Sequence, residues 1–265
     1  MRSNWLFILI PTILIPFFSC KKETTAAKFD VQYYSQVSVT NASPGSPNMN
    51  LFVDNQQVEL QDSLSYGWTS FRIIQDNSHP NYTISDTTPY VSINSGYHQL
   101  GLSQTGPNNN LVNITNYFES GANYSVFIVD TVQHGQLKYV LFRDHLDPPD
   151  SSKSQVRFVN LSVDAPPMDV WAFPNGGNDG YKIFSNQSYP LTSYGNLLNS
   201  ESFVSVKAGP YYFIATVAGT SQILLEGGLI LPGKSMATIY AKGLLSGTED
   251  QKLGVGIIRY IPKVF

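Results

Sequence analysis

The sequence predicts an all-β fold of two tandem antiparallel β-sandwich domains, immunoglobulin- or transthyretin-like, and three observations predict it. First, residues 36–54, QVSVTNASPGSPNMNLFVD, lie without a gap over residues 155–173, QVRFVNLSVDAPPMDVWAF, with six identities: Gln36/Gln155, Val37/Val156, Asn41/Asn160, Ser43/Ser162, Pro47/Pro166 and Met49/Met168. Chance gives about one identity at ordinary residue frequencies, so the chain is a duplication. Second, short β-branched and aromatic runs bounded by Gly, Pro and Asn recur throughout, with no helical period. Third, charged residues are only 13% of a chain that holds 16 Tyr and 15 Phe, a balance opposite to that of disordered chains.

Residues 1–19 read as a processing signal outside the fold: Arg2 leads into an apolar run from Trp5 to Phe18, interrupted by Pro11 and Pro16 and closed by Ser19-Cys20. The run is shorter than the roughly 20 residues a spanning helix needs. Cys20, the only cysteine, follows a small residue and resembles the lipidated cysteine of a bacterial lipobox, with Phe17 where lipoboxes most often carry Leu. The resemblance implies acyl chains on Cys20, an outer-membrane anchor, and a periplasmic or surface-facing fold. It leaves no thiol for a disulfide or a nucleophile.

Residues 20–32 are then a polar tether, residues 33–146 the first sandwich, 147–154 a linker around Pro148-Pro149, and 155–265 the second sandwich. In the second, strands are expected at Val156 to Val159, Met168 to Phe173, Phe203 to Val206, Tyr211 to Val217, Gln222 to Leu225, Lys234 to Ala241 and Gly254 to Tyr260. The first repeats them: Tyr90 to Ile93 before Gly96 matches Phe203 to Val206 before Gly209, and Leu141 to Arg143 matches Ile257 to Arg259. Aligning Gly121 with Gly233 sets Tyr124 to Val129 over Met236 to Ala241. The first half is longer in residues 60–89, an insertion expected in surface loops.

Residues 156–170, VRFVNLSVDAPPMDV, resemble the opening strand–turn–strand of the DUF4397 family, a bacterial domain of unknown function. Arg157, Ser162, Asp164, Ala165, Pro166, Asp169 and Val170 carry the resemblance. The first half keeps Asn41-Ala42-Ser43-Pro44 but has Ser38 for the arginine and Asn50 for the last aspartate. The resemblance implies an extracytoplasmic tandem β-protein with no assigned biochemical function, and its anchor resembles those of the Bacteroidetes group. Physically, Ser162 and Asp164 are expected to bond amides of the turn and Pro166 to fix the entry to the next strand. Arg157 and Asp169 are expected to form a structural ion pair across the two strands.

Removal of Arg2 leaves 15 Lys and Arg against 19 Asp and Glu, a net charge of −4 with no basic cluster. That excludes a nucleic-acid partner. The four histidines all lie in the first half and no catalytic or phosphate-binding motif occurs, so no enzyme, cofactor or metal is expected. Asp144, Asp147 and Asp150 fit no calcium loop and read as a solvated acidic linker. Trp68, Tyr66, Tyr82 and Tyr90 suggest an aromatic ligand-binding surface, the first three being the candidates. The expected role is therefore a lipid-anchored envelope protein with a structural or protein-interaction function. The alternative is a module that binds carbohydrate or peptide.

Overall fold

A computed structural model describes residues 33–58, 60, 63–67, 69, 89–133, 136–190, 197–199 and 203–260. Cys20, Trp68 and Tyr82 lie outside the described residues. Almost all regular structure is β, and no helix among the described residues is long and apolar enough to cross a membrane.

The first half contains β1 (Tyr34–Asn41), β2 (Asn50–Val53), β3 (Gln56–Gln57), β4 (Val91–Asn94), β5 (Gly96–Ser103), β6 (Val112–Phe118), β7 (Asn123–Gln133) and β8 (Gln136–Asp144). The second contains β9 (Lys153–Asn160), β10 (Met168–Pro174), β11 (Tyr181–Gln187), β12 (Leu197–Asn199), β13 (Val204–Lys207), β14 (Gly209–Val217), β15 (Ile223–Leu231), β16 (Met236–Lys242) and β17 (Gly254–Tyr260). All seven strands expected in the second half are present, with β11 and β12 added. Its first strand begins at Lys153, three residues before the expected Val156.

The sheets repeat strand for strand. The order β4-β1-β7-β8 of one half is β13-β9-β16-β17 in the other, and β3-β2-β5-β6 is β11-β10-β14-β15. Most pairs are antiparallel, but the first strand of each half runs parallel to its neighbour, β1 to β7 and β9 to β16. Strand β12 crosses over and adds in parallel to β8, so the second half extends a sheet of the first.

The ladders correct the expected alignment of β7 with β16 by one residue. Gln36 faces Asn123 and Gln155 faces Met236, so Asn123, not Tyr124, corresponds to Met236. The residue equivalent to Gly121 is Lys234. Both take a left-handed φ, +75° and +63°, and both donate their amides to the first strand, to Tyr34 and Lys153 respectively. Matching glycine to glycine displaced the register, because here a lysine holds the conformation that usually selects glycine.

Each half has its own core between its two sheets. Val37, Val39, Leu51, Leu100, Leu102, Ile114 and Val126 fill the first; Val156, Phe158, Val170, Phe213, Leu225, Leu229 and Ile239 fill the second. A third buried cluster joins them. It packs Ala42, Phe127, Val140 and Phe142 against Val159, Leu161, Tyr240 and Ile258. These are the same positions of the duplicated fold, Ala42 matching Leu161 and Phe142 matching Ile258, so equivalent sheet faces lie back to back. Phe127 even meets its own counterpart, Tyr240, with ring centroids 5.5 Å apart.

Candidate functional site

Strand alternation places Val156 and Phe158 in the second core and so turns Arg157 outward, onto the face that the first half covers. Arg157 is completely buried there. Its guanidinium donates to Asp144 Oδ1 at 2.8 Å, to Tyr260 Oη at 3.1 Å and to Thr238 Oγ1 at 3.0 Å. The faces of Phe203 and Phe142 lie 4.7 and 5.0 Å from the guanidinium carbon. Tyr90 and Ser125 donate hydroxyls to the other oxygen of Asp144.

The expected Arg157–Asp169 pair is therefore absent. Met168 and Val170 point into the same core from the opposite sheet, so Asp169 points out of the far side of the sandwich and the two residues face away from each other. Asp169 instead receives Lys182 Nζ at 2.6 Å and the amides of Asn186 and Gly219. The Lys182 hydrogen bond first, then these amides, hold its pKa down at about 2. Asp144 is not a solvated linker residue either; it is buried as the counter-ion of Arg157, whereas Asp147 and Asp150 are exposed.

This polar cluster is built from matched positions: Arg157 and Ser38, Thr238 and Ser125, Tyr260 and Asp144, Phe203 and Tyr90. One cation and one anion occupy an interface that symmetry would have filled with two identical groups. Burial opposes the Arg157 charge, but Asp144 and the Tyr260 phenol outweigh it and the guanidinium pKa rises. Burial is also the main cause that lifts the Tyr90 and Tyr260 phenols above their ordinary value. The arrangement locks the two halves together through a buried ion pair and its hydrogen bonds.

The turn residues of the signature do related work. Asn160 and its counterpart Asn41 accept the amides of Ser162 and Ser43, each at 3.2 Å, and Asn160 also donates to the Pro166 carbonyl. Ser162 donates its hydroxyl to Asp164. Asp164 reaches beyond its own turn, accepting the amides of Leu245 and Ser246 at 2.7 and 3.0 Å and so pinning the loop after β16. Burial opposes its ionisation, and these hydrogen bonds still bring its pKa down.

Of the aromatic candidates, Tyr66 is half-buried under Lys242 of the second half, whose Nζ lies 4.1 Å from its ring centroid. Burial first, then Asp250, pushes its phenol up to about 12. Tyr66 belongs to the contact between halves, as Tyr90 does. The exposed aromatic surface lies elsewhere. Tyr97 on β5 and Tyr117 on β6 stand directly opposite each other, 79% and 51% exposed, with centroids 5.0 Å apart and planes inclined by 66°. Gln99, Thr115 and Asn113 follow on the same face, because Leu100, Leu102, Val112 and Ile114 alternate into the core. Asn113 accepts Asn110 Nδ2 at 2.8 Å. At the end of the face, Asp54 accepts the Gln99 amide and meets His98 Nδ1 at 2.6 Å; the amide bond and then His98 lower its pKa.

Two exposed rings beside a row of amides and a hydroxyl form the most ligand-like surface among the described residues. Sequence reasoning missed it, having looked for aromatics in the longer loops. The signal was present in Gly96-Tyr97-His98-Gln99-Leu100-Gly101-Leu102, whose alternation sets Tyr97 and Gln99 opposite the leucines. The second half lacks the surface: Pro210 and Ile230 occupy the places of Tyr97 and Tyr117. No three His, Cys, Asp or Glu side chains among the described residues come together around a metal position.

No curated protein matches the chain. Among solved structures, the TIE protein of Bacillus anthracis shares 11% identity at a TM-score of 0.22, over 78% of this chain but only 33% of its own length. Family 41 carbohydrate-binding modules from streptococcal virulence factors, described for α-glucan recognition, share 10% identity at a TM-score of 0.23, over 84% of this chain and 96% of theirs. A family 26 module from Eubacterium rectale, in complex with maltoheptaose, shares 9% at 0.23, over 86% and 98%. Similarities this low carry no functional argument. The family described as a domain of unknown function, DUF4397, matches residues 35–171, just over half of the chain, and its span runs from β1 through the Arg157 strand to Trp171. The chain belongs to the DUF4397 family.

Proposed function

We propose that this is a lipid-anchored protein of the bacterial envelope whose interaction role is recognition of carbohydrate by the first half. The observation that carries the reading is the exposed Tyr97–Tyr117 pair with Gln99, Thr115 and Asn113 on one solvent-facing sheet surface. A sugar ring has an apolar face of C–H groups and a rim of hydroxyls. A tyrosine face supports the first and amides hydrogen-bond the second. The buried interface between halves supports the same reading by holding the surface on one stiff body, so little order has to be imposed on binding.

Acylation of Cys20 would place this surface beyond a short tether at the outer membrane. Several acyl chains together make such an anchor stable, since each buried methylene contributes about 0.8 kcal/mol. The testing experiment is a glycan array probed with the soluble chain from residue 24 onward, alongside Tyr97→Ala and Tyr117→Ala. Binding that both substitutions abolish supports the reading. A blank array, or binding that survives both, overturns it.

A further inference from the structure

The two halves differ inside as well as outside. The register of β5 with β6 sets Leu100 opposite Ile114, and that of β14 with β15 sets Phe213 opposite Gly227, so Gly227 stands where the first core has a fully buried isoleucine. Likewise Ala215 stands where the first half has Leu102. Leu225, Leu229 and Leu231 alternate inward along β15, so a side chain at 227 would point to the same side, and Gly227 is itself exposed because the space beside it opens to solvent. A Cβ built on Gly227 would meet nothing within 4 Å.

The result is a cavity of about 180 Å³ between the sheets of the second half. Phe158, Val170, Phe213, Leu225, Leu229 and Ile239 form its walls, and it opens between the β15 and β17 edges. Val255 and Ile257 stand at that opening, 40% and 43% exposed, whereas Leu141, the counterpart of Ile257, is buried in the first half. The described lining is otherwise apolar or glycine, and the Glu226 side chain, between the inward Leu225 and Gly227, turns to the outer face of the sheet beside Tyr212.

We propose that this cavity is a binding site for an uncharged single-ring aromatic group. An apolar cavity of roughly 150 Å³ stays dry and takes a benzene-sized guest, and this one has similar dimensions and walls. Two consecutive glycines, Gly227 and Gly228, leave the β15 side of the entrance clear, since a Cβ on Gly228 would meet only the Tyr211 carbonyl at 3.8 Å. The ring enters edge-on and lies beside Phe158 and Phe213. The site is independent of the Tyr97–Tyr117 surface and lies in the other half.

The test titrates toluene, with benzylamine as its cationic counterpart, into the intact chain by calorimetry and by ligand-observed NMR. Two proteins are compared: unmodified and Gly227→Ile. The proposal expects saturable binding of toluene, weaker binding of benzylamine, and at least a tenfold loss of toluene binding in Gly227→Ile. Thermal unfolding of each variant establishes that it is folded. Absence of saturable binding to the unmodified chain, or undiminished binding to a folded Gly227→Ile protein, overturns the proposal. Benzylamine binding as tightly as toluene overturns the apolar character of the site.

Discussion

Replacing Gly227 with isoleucine restores in the second core the side chain that the first core has at Ile114, and its effect on stability follows from the structure. The substitution adds four carbons to a site where nothing lies within 4 Å of the new Cβ. At about 0.8 kcal/mol per buried carbon the gain is about 3 kcal/mol. Removing a glycine from a strand interior adds roughly 0.5–1 kcal/mol by reducing the freedom of the unfolded chain. Imperfect fit of the branched side chain subtracts about 1 kcal/mol or more. The expected net gain is about 2–3 kcal/mol, a rise of about 4–12 °C in Tm for a body of this size. Urea denaturation with an unchanged m-value, together with calorimetry, reads it out. A stability equal to or below that of the unmodified chain would refute the reasoning, because it would mean that the walls already meet.

Four other outcomes follow. Arg157→Met strands the buried Asp144 carboxylate and is expected to cost about 3–5 kcal/mol, whereas Arg157→Met combined with Asp144→Leu recovers most of the loss; a double-mutant cycle by chemical denaturation measures both. Asp169 has its pKa lowered from 3.8 to about 2 on folding, so its stabilising contribution is complete above about pH 4 and is lost as pH falls toward 2; stability measured against pH should lose part of that slope in Asp169→Asn. Tyr97→Ala and Tyr117→Ala remove exposed side chains and should each change stability by no more than about 0.5 kcal/mol in denaturant titrations while abolishing glycan capture. Cys20→Ser should move the protein from the membrane fraction to the soluble fraction on cell fractionation.

Much of the fold was legible because the chain states it twice. The offset between Gln36 and Gln155 exposed the duplication, and the alternating runs marked the strands. What could not be read was which outward faces are covered. Val156-Arg157-Phe158-Val159 and Val126-Phe127-Ile128-Val129 are nearly continuous apolar runs, the pattern of strands buried on both faces. That pattern hinted at a second buried layer. Alternation sent Arg157 outward, but only the packing of equivalent faces shows that outward here means into the interface with Asp144. The partner lies 13 residues earlier, across a Pro-Pro turn that looked like solvated linker.

The Tyr97–Tyr117 surface was hidden for a different reason. Each tyrosine is an ordinary exposed strand residue, and only the β5–β6 register makes them a pair. The Gly227 cavity needed the corrected register between halves, since a glycine in a strand means little until Ile114 is known to be its counterpart.

The claim on which the rest depends is that the two halves form one body through the buried Arg157 interface. Differential scanning calorimetry of the soluble chain tests it most directly. The account predicts a single transition with equal calorimetric and van't Hoff enthalpies, splitting or broadening in Arg157→Met. Two separate transitions in the unmodified chain, unaffected by Arg157→Met, would contradict it.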